Sequence, residues 1–217
     1  YKAEKKLIKS TPIYAPAGQS TQMVIGATPE TDKDIMFTAN SLYQKFNMKR
    51  VYYSGYIPIS GDERLPGIGT PPPLIREHRL YQTDWLMRFY GFTVNEIVSD
   101  SNPNLDVDID PKLSWALRNL HHFPIDINTA DYSMILRVPG IGVASAQKIV
   151  AARKFGKLDW TQLKKIGVVM NRVKHFVVCS RQDFVLGEAT AGNIRHQILA
   201  LGKSKYTPTY SPQLTLF

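Results

Sequence analysis

The chain has 217 residues, of which 43% are hydrophobic and 21% charged, a composition typical of a folded globular protein. Cys179 is its single cysteine, so the sequence excludes an intrachain disulfide and a metal site built on several cysteines. The net charge of +9 favours a polyanionic partner, and no apolar run reaches the ~18 residues that a membrane span needs. Since no signal-peptide pattern follows Tyr1, we expect a cytoplasmic protein without a membrane partner. Because the first residue is Tyr1 and not Met, we expect the natural start to lie elsewhere.

The first elements predict a strand, a helix and a second strand. Residues 20–27 form a short apolar run typical of a buried strand. Residues 29–46 place apolar side chains at three- and four-residue steps, which predicts an amphipathic helix. Residues 49–59 are rich in Val, Tyr and Ile. Strand, helix and strand with short joints predict a βαβ unit with parallel strands.

The next part contains a loop and two helices. Residues 60–74 are rich in Gly and Pro and include the tetrapeptide Pro-Gly-Ile-Gly, after which three prolines keep a helix from starting. Residues 75–92 predict a long amphipathic helix that stops at Gly91. Residues 111–120 predict a helix with Pro111 in its first turn.

The same tetrapeptide returns at residues 139–142, now between two helical segments. Asn128 is predicted to cap the first of these helices, over about residues 129–137. Gly140 and Gly142 allow backbone geometry that side chains would forbid. A second helix starts directly afterwards, and the unpaired amides and dipole at its N-terminus suit a phosphate group.

Positive charge concentrates around this second copy. Residues 137–181 contain ten lysines and arginines against one acidic residue, Asp159, so this segment alone carries +9. Residues 95–111, in contrast, carry five acidic residues and no basic one. The chain is therefore electrically polarised along its length, with the cations beside the predicted phosphate-binding turn.

The pattern of an apolar residue, Pro-Gly-apolar-Gly and the small Ala146 resembles the helix-hairpin-helix family of DNA binders that do not read sequence. The segment before it resembles the tandem modules of competence DNA receptors, which implies a second hairpin about 25 residues later. Ile166, Gly167 and Val168 fit its turn, but a second glycine is usual at Val168. We therefore expect the second hairpin to complete a four-helix unit without binding phosphate.

The resemblance implies DNA contacts by a set of residues in and near the two turns, namely Val138, Gly140, Ile141, Gly142, Val143, Ala144, Ser145, Lys148, Arg153, Lys154, Lys165 and Gly167. The alternative is a tight turn between two core helices. DNA glycosylases are also built on this module, but Val143 and Ala144 occupy the positions where one subclass has a catalytic lysine. Glycosylase chemistry is therefore not expected.

Residues 16–32 and 76–92 are similar to radical S-adenosylmethionine proteins classed as DNA modification or repair proteins. The resemblance implies the later strands of a (β/α) barrel, a cofactor pocket for S-adenosylmethionine, and a [4Fe–4S] cluster held by three cysteines. Those cysteines are absent, so this chain would correspond to a C-terminal portion that cannot form the radical alone. The cofactor-pocket candidates are Ser20, Gln22, Gly26 and Glu30; the alternative is a buried strand with a glycine turn that caps a helix. A uracil-DNA glycosylase-like protein is the implied partner.

The last five residues, Gln-Leu-Thr-Leu-Phe, resemble the pentapeptide with which bacterial proteins dock on the sliding clamp. An extended peptide would place Leu214, Leu216 and Phe217 in apolar pockets while Gln213 makes polar contacts. The alternative is a strand or coil end packed on its own protein.

The expected fold class is α/β plus α, with a partial (β/α) barrel followed by a tandem helix-hairpin-helix domain. The expected domains are residues 1–98 for the barrel part and following helix, 99–182 for the DNA-binding domain, and 183–217 for a helix and flexible tail. The expected function is backbone binding to DNA by part of a radical enzyme for DNA modification or repair. The alternative is a non-catalytic adaptor that recruits a repair enzyme to the clamp.

Overall fold

The computed structural model describes residues 16–59, 61–179 and 190–201. The chain divides into two compact units between Trp115 and Ala116. In the described ranges no helix is both long and apolar enough to cross a membrane. The three domain boundaries proposed from the sequence stay a prediction.

The first unit begins with the predicted βαβ unit. Strand β1 (Ser20–Ile25) pairs in parallel with β2 (Arg50–Gly55), and helix α1 (Asp32–Phe46) connects them, so the βαβ prediction is confirmed. α1 begins at a capping box, in which Thr31 and Asp34 satisfy each other's backbone N–H groups. It ends at Asn47, whose φ of 52° is left-handed.

The expectation that β1 is a buried strand is wrong. Ile25 is buried, but Val24 is 54% exposed and Tyr52 on the neighbouring strand is 45% exposed. The described sheet has only these two strands, and helices cover one of its faces, so the other face stays open. Parallel sheets are normally covered on both faces, which makes this open face unusual.

Helix α2 (Leu74–Phe89) packs against β2 and α1. It closes the outer edge of β2 with side chains: Gly55 N–H donates to Glu77 at 2.7 Å and Tyr53 N–H donates to the Tyr81 hydroxyl at 2.9 Å. Tyr43 on α1 accepts the third outward amide, that of Val51, at 3.0 Å. A further strand could therefore pair with β1 but not with β2.

Three shorter features complete the first unit. Gly91, which was predicted to end the helix now seen as α2, follows that helix and has a left-handed φ of 69°. Helix α3 is Val94–Ile97, and α4 (Pro111–Arg118) starts with a proline as predicted. The carboxylate of Asp32, only 2% exposed, accepts hydrogen bonds from Arg76 at 2.5 Å and from the Leu105 backbone at 2.8 Å. These bonds connect the start of α1 to α2 and to the loop before α4.

The second unit is mainly helical. After the end of α4 and a 3₁₀ turn (Leu120–His122), it contains β3 (Ile125–Asp126), α5 (Tyr132–Arg137), α6 (Val143–Ala152), α7 (Trp160–Ile166), α8 (Met170–Val173), β4 (Val177–Val178) and α9 (Ala191–Leu201). β3 and β4 pair in parallel, with Ile125 opposite Val177. This sheet joins the two ends of the α5–α8 segment.

Each of the helices α5 to α8 contributes at least one apolar side chain to the core of the second unit. Ile135, Ile149, Leu163 and Val173 are each fully buried. Helix α6 packs against both α5 and α7, and the Val169 N–H before α8 donates to the Gly140 carbonyl before α6. The four helices therefore form one packed body and not two independent hairpins.

The predicted cap at Asn128 is wrong. α5 begins at Tyr132 with Asp131 in the N-cap position. The Asn128 side chain instead accepts the Leu158 N–H at 2.7 Å and donates to the carbonyls of Leu158 and Cys179 at 3.1 and 3.2 Å. An asparagine amide can pair with a backbone donor and acceptor at once, and here it holds the loop before α7 in place.

Candidate nucleic-acid interface

The first hairpin is the turn between α5 and α6. Gly140 has a φ of 92°, a left-handed conformation that favours glycine. Gly142, the N-cap of α6, has φ −92° and ψ 170°, an extended conformation that other residues also adopt. The expectation that both glycines supply unusual backbone geometry is therefore right for Gly140 and wrong for Gly142.

The backbone amides at the start of α6 have no acceptor among the residues that the structure describes. The first amide bonded within the helix is that of Ala146, which donates to the Gly142 carbonyl at 2.8 Å. The N–H groups of residues 143–145 come before it, and all three residues are half-exposed or exposed. An α-helix leaves such groups open at its N-terminus, where they and the helix dipole attract an anion.

Two of the predicted contact residues cannot offer their side chains. Val138 is 0% exposed and Ile141 is 1% exposed, and the Ile141 N–H already donates to the Val138 carbonyl at 3.2 Å. Both side chains pack in the core and hold the turn in place. Contacts of DNA with their backbone atoms stay a prediction.

The predicted cations differ in their freedom. Lys148 and Lys154 are exposed, and Lys148 lies one helical turn above Ala144 on the open face of α6. Arg153, in contrast, is held in place, because its guanidinium donates to the Ala130 carbonyl at 2.6 Å and to the Ile127 carbonyl at 3.3 Å. Lys148 is therefore the lysine placed to assist the open amides.

The second hairpin is the turn between α7 and α8. Gly167 ends α7 with a φ of 95°, so it corresponds to Gly140 and not to Gly142. Val168 is buried like Ile141, and Val169 is the N-cap of α8. The missing second glycine therefore falls at Val169 and not at Val168, where the sequence pattern had placed it.

The two hairpins contact each other through their backbones. The Val169 N–H donates to the Gly140 carbonyl at 3.0 Å. A methyl group on Gly140 would lie 3.0 Å from the Val169 carbonyl and 3.1 Å from the Val173 side chain. The second hairpin thus packs directly on the first, which uses up the Val169 amide; whether it binds phosphate stays a prediction.

The surface around the second turn is also basic. Lys164 and the predicted Lys165 are exposed in the last turn of α7, where cations are favoured by the helix dipole. The Arg172 Cβ lies close to Gly140, so its side chain starts beside the first hairpin. Arg172 is missing from the predicted contact set, although the charge of its segment pointed to it. Burial, together with the charge of Lys174, lowers the pKa of His175, so this histidine adds no further cation at neutral pH.

The four cofactor-pocket candidates do not converge in the first unit. Ser20 and Gln22 lie on the exposed face of β1, and the Gln22 amide donates to the Ser54 hydroxyl at 2.7 Å. Gly26 and Glu30 lie at the other end of the strand, where the Gly26 N–H donates to the Glu30 carboxylate at 3.1 Å. These contacts fit the glycine turn of the alternative, although the strand before it is not buried. Binding of S-adenosylmethionine by these residues stays a prediction.

The Glu30 carboxylate is also engaged by charge. Partial burial raises the pKa of Glu30, but hydrogen bonds from Thr28 and Gly26 and the charge of Arg76 outweigh burial and lower it. Arg76 approaches Glu30 to 3.8 Å. Among the described residues there is also no group of three His, Cys, Asp or Glu side chains that could hold a metal ion.

The C-terminal pentapeptide that resembles clamp-binding peptides lies outside the described residues, so the roles of Gln213, Leu214, Leu216 and Phe217 stay predictions. The barrel assignment of the first unit likewise stays a prediction: the described part contains two parallel strands and no closed barrel.

A comparison with protein families finds one match, to the helix-hairpin-helix motif, over residues 122–169. This range contains the whole first hairpin, α7 and the turn up to Val169. No curated protein and no solved structure matches the chain. The match supports the hairpin pattern that the sequence predicted, and it is consistent with DNA binding that does not read sequence.

Proposed function

We propose that the second unit binds the sugar–phosphate backbone of DNA, without reading its sequence, through the first hairpin. The observation that carries the proposal is the row of open amides at residues 143–145, which have no acceptor within the described part of the chain. Backbone amides bind phosphate oxygens in the same way at any base pair, so such contacts position a protein but do not specify a sequence.

The surrounding charge supports the same proposal. Lys148 lies on the open face of α6, and exposed lysines at 154, 157, 164, 165 and 174 surround the motif. The only acidic side chain between α6 and α8, Asp159, accepts the Gln162 N–H at 2.8 Å as the cap of α7. Each phosphate that such cations neutralise releases counterions and strengthens binding at low salt.

The proposal can be tested by removing a single amide. Val143 is the first residue of α6, where proline is favoured, and the extended Gly142 before it satisfies the conformation that proline requires. Val143→Pro therefore deletes one open N–H while leaving the helix intact. We expect a loss of about tenfold or more in duplex affinity, since hydrogen bonds to charged groups contribute about 1.5–3 kcal/mol.

The matched control is Val143→Ala, which shortens the side chain but keeps the amide. It should change duplex affinity by less than about twofold, since the proposal assigns the phosphate contact at this residue to the amide and not to the valine side chain. Both variants are measured by fluorescence anisotropy, with circular dichroism to compare helix content. Equal affinities for the two variants would reject amide binding to phosphate.

The finer assignments concern the first unit and the partners of the chain. We infer that the first unit accepts additional strands beside β1, because that edge makes no backbone hydrogen bond within the described residues and the face around Val24 is open. A partial (β/α) barrel would supply such strands. The roles in radical chemistry and DNA repair, the glycosylase-like partner and the clamp-recruiting adaptor remain predictions.

A further inference from the structure

The turn between α6 and α7 displays one aromatic side chain almost completely. Phe155 is 93% exposed, more than any other large apolar residue that the structure describes. Lys154 and Lys157 on either side of it are also exposed. Gly156 beside it would allow a methyl group without any contact within 4 Å, so the space around the ring is open.

This turn is held in place from both sides. Before Phe155, the Arg153 guanidinium binds the Ala130 and Ile127 carbonyls at 2.6 and 3.3 Å. After it, Leu158 is buried and its backbone pairs with the Asn128 side chain. The Phe155 N–H itself donates to the Ala152 carbonyl at 3.0 Å. The backbone that carries the exposed ring is therefore ordered, so less conformational entropy is lost when a ligand binds to it.

The charges around the ring select an anionic ligand. The turn that carries Lys154 and Lys157 contains no acidic residue, and the nearest one along the chain, Asp159, caps α7. A protein partner would need a wider apolar area than one ring provides. A nucleic-acid strand offers phosphates for the lysines to bind and flat base faces that stack on the aromatic ring.

We propose that Phe155 stacks on an unpaired base, so that the chain prefers DNA in which a single-stranded segment adjoins a duplex. This inference rests on the proposed backbone binding by the first hairpin. The open amides lie at the start of α6 and Phe155 follows its end, a separation of about 14 Å along a ten-residue helix. The hairpin binds the duplex backbone while the ring takes a base beyond it.

The test compares two DNA probes that share one duplex. One is blunt, and the other carries an overhang of about eight nucleotides, within the range of single-strand site sizes. The full chain is titrated with each probe by fluorescence anisotropy. Phe155→Ala should lose about tenfold in affinity for the overhang probe, the usual effect of removing one stacking ring, and less than about twofold for the blunt duplex.

Two further variants separate stacking from simple apolar contact. Phe155→Trp keeps a flat ring and should retain overhang affinity, whereas Phe155→Leu keeps apolar volume and should lose it. A 2-aminopurine base in the overhang should lose fluorescence with the wild-type chain and with Phe155→Trp, because stacking quenches it. Phe46→Ala is the matched control, since Phe46 is an aromatic residue that is 62% exposed in the first unit.

The outcomes distinguish this inference from the function on which it rests. If the wild-type chain binds the blunt duplex but Phe155→Ala binds both probes as the wild type does, the stacking proposal is wrong and backbone binding survives. Full overhang affinity of Phe155→Leu would also overturn stacking. If the wild-type chain does not bind the blunt duplex at all, the proposed function itself fails.

Discussion

The tetrapeptide Pro-Gly-Ile-Gly occurs twice in this chain, and its two copies adopt different structures. At residues 66–69 it lies in a loop of the first unit, where Ile68 is 74% exposed. At residues 139–142 it forms the turn of the first hairpin, where Ile141 is 1% exposed. Even the left-handed residue changes, from the second glycine, Gly69, in the loop to the first, Gly140, in the hairpin.

The flanking residues explain the difference. After the loop copy, Thr70 donates its N–H to the Gly67 carbonyl at 3.1 Å, and three prolines then keep a helix from starting. After the hairpin copy, α6 begins at once, and the buried Ala146 lets the helices approach closely. The tetrapeptide permits a sharp turn, but the residues on its C-terminal side decide whether that turn exposes helix amides.

The largest expected effect is the loss of stability when the isoleucine of each tetrapeptide copy is replaced. Ile141→Ala should lower the free energy of unfolding by about 2–5 kcal/mol, because it leaves a cavity in the core of the second unit. Ile68→Ala should change it by less than about 0.5 kcal/mol, as is usual for exposed positions. Chemical denaturation followed by circular dichroism measures both.

Similar losses for the two isoleucine variants would mean that the loop copy is also packed. That result would remove the structural difference between the copies and, with it, the reason to place the DNA contact in only one of them.

The next effect concerns the left-handed glycines. Gly140→Ala should cost about 2–4 kcal/mol, since an alanine there adds backbone strain and a clash with Val169 and Val173. Gly69→Ala and Gly167→Ala add a methyl group in open space and should cost only the strain, about 1 kcal/mol. Thermal denaturation of the three variants gives the order. If Gly167→Ala is as damaging as Gly140→Ala, the contact between the hairpins is not what makes Gly140 necessary.

Much of this structure could be predicted from hydrophobic spacing and turn residues. The βαβ unit, α2, α4 and the two helices of the first hairpin all follow from apolar positions at helical or strand spacing. The positive charge near α6 and the glycine turn likewise indicate the interface from sequence alone. These features are predictable because they depend on the burial and backbone geometry of residues that are close together in the sequence.

The features that sequence patterns missed depend on contacts between distant residues. Asn128 is a residue type favoured in helix caps, but it binds Leu158, thirty residues later. Arg153 looks like a free cation, but it binds carbonyls of the loop before α5. β3 and β4 are two residues each, too short for any alternation to indicate them. In each case a long-range hydrogen bond decides the role, and periodicity carries no information about it.

The smallest expected effect is on the salt dependence of DNA binding, when a cation beside each tetrapeptide copy is replaced. Lys148 lies above the open amides of α6, whereas Arg64 lies beside the loop copy and pairs with Asp62 at 2.6 Å. Lys148→Gln should make the negative slope of log affinity against log salt less steep by about 0.9, the value for one phosphate contact on duplex DNA. Arg64→Gln should leave that slope unchanged, because its charge is already paired and its loop offers no helix amides.

A salt titration of both variants with the blunt duplex measures the two slopes. An equal decrease for both would show that binding depends on the overall charge of the chain, and the hairpin would then have no special part in binding phosphate.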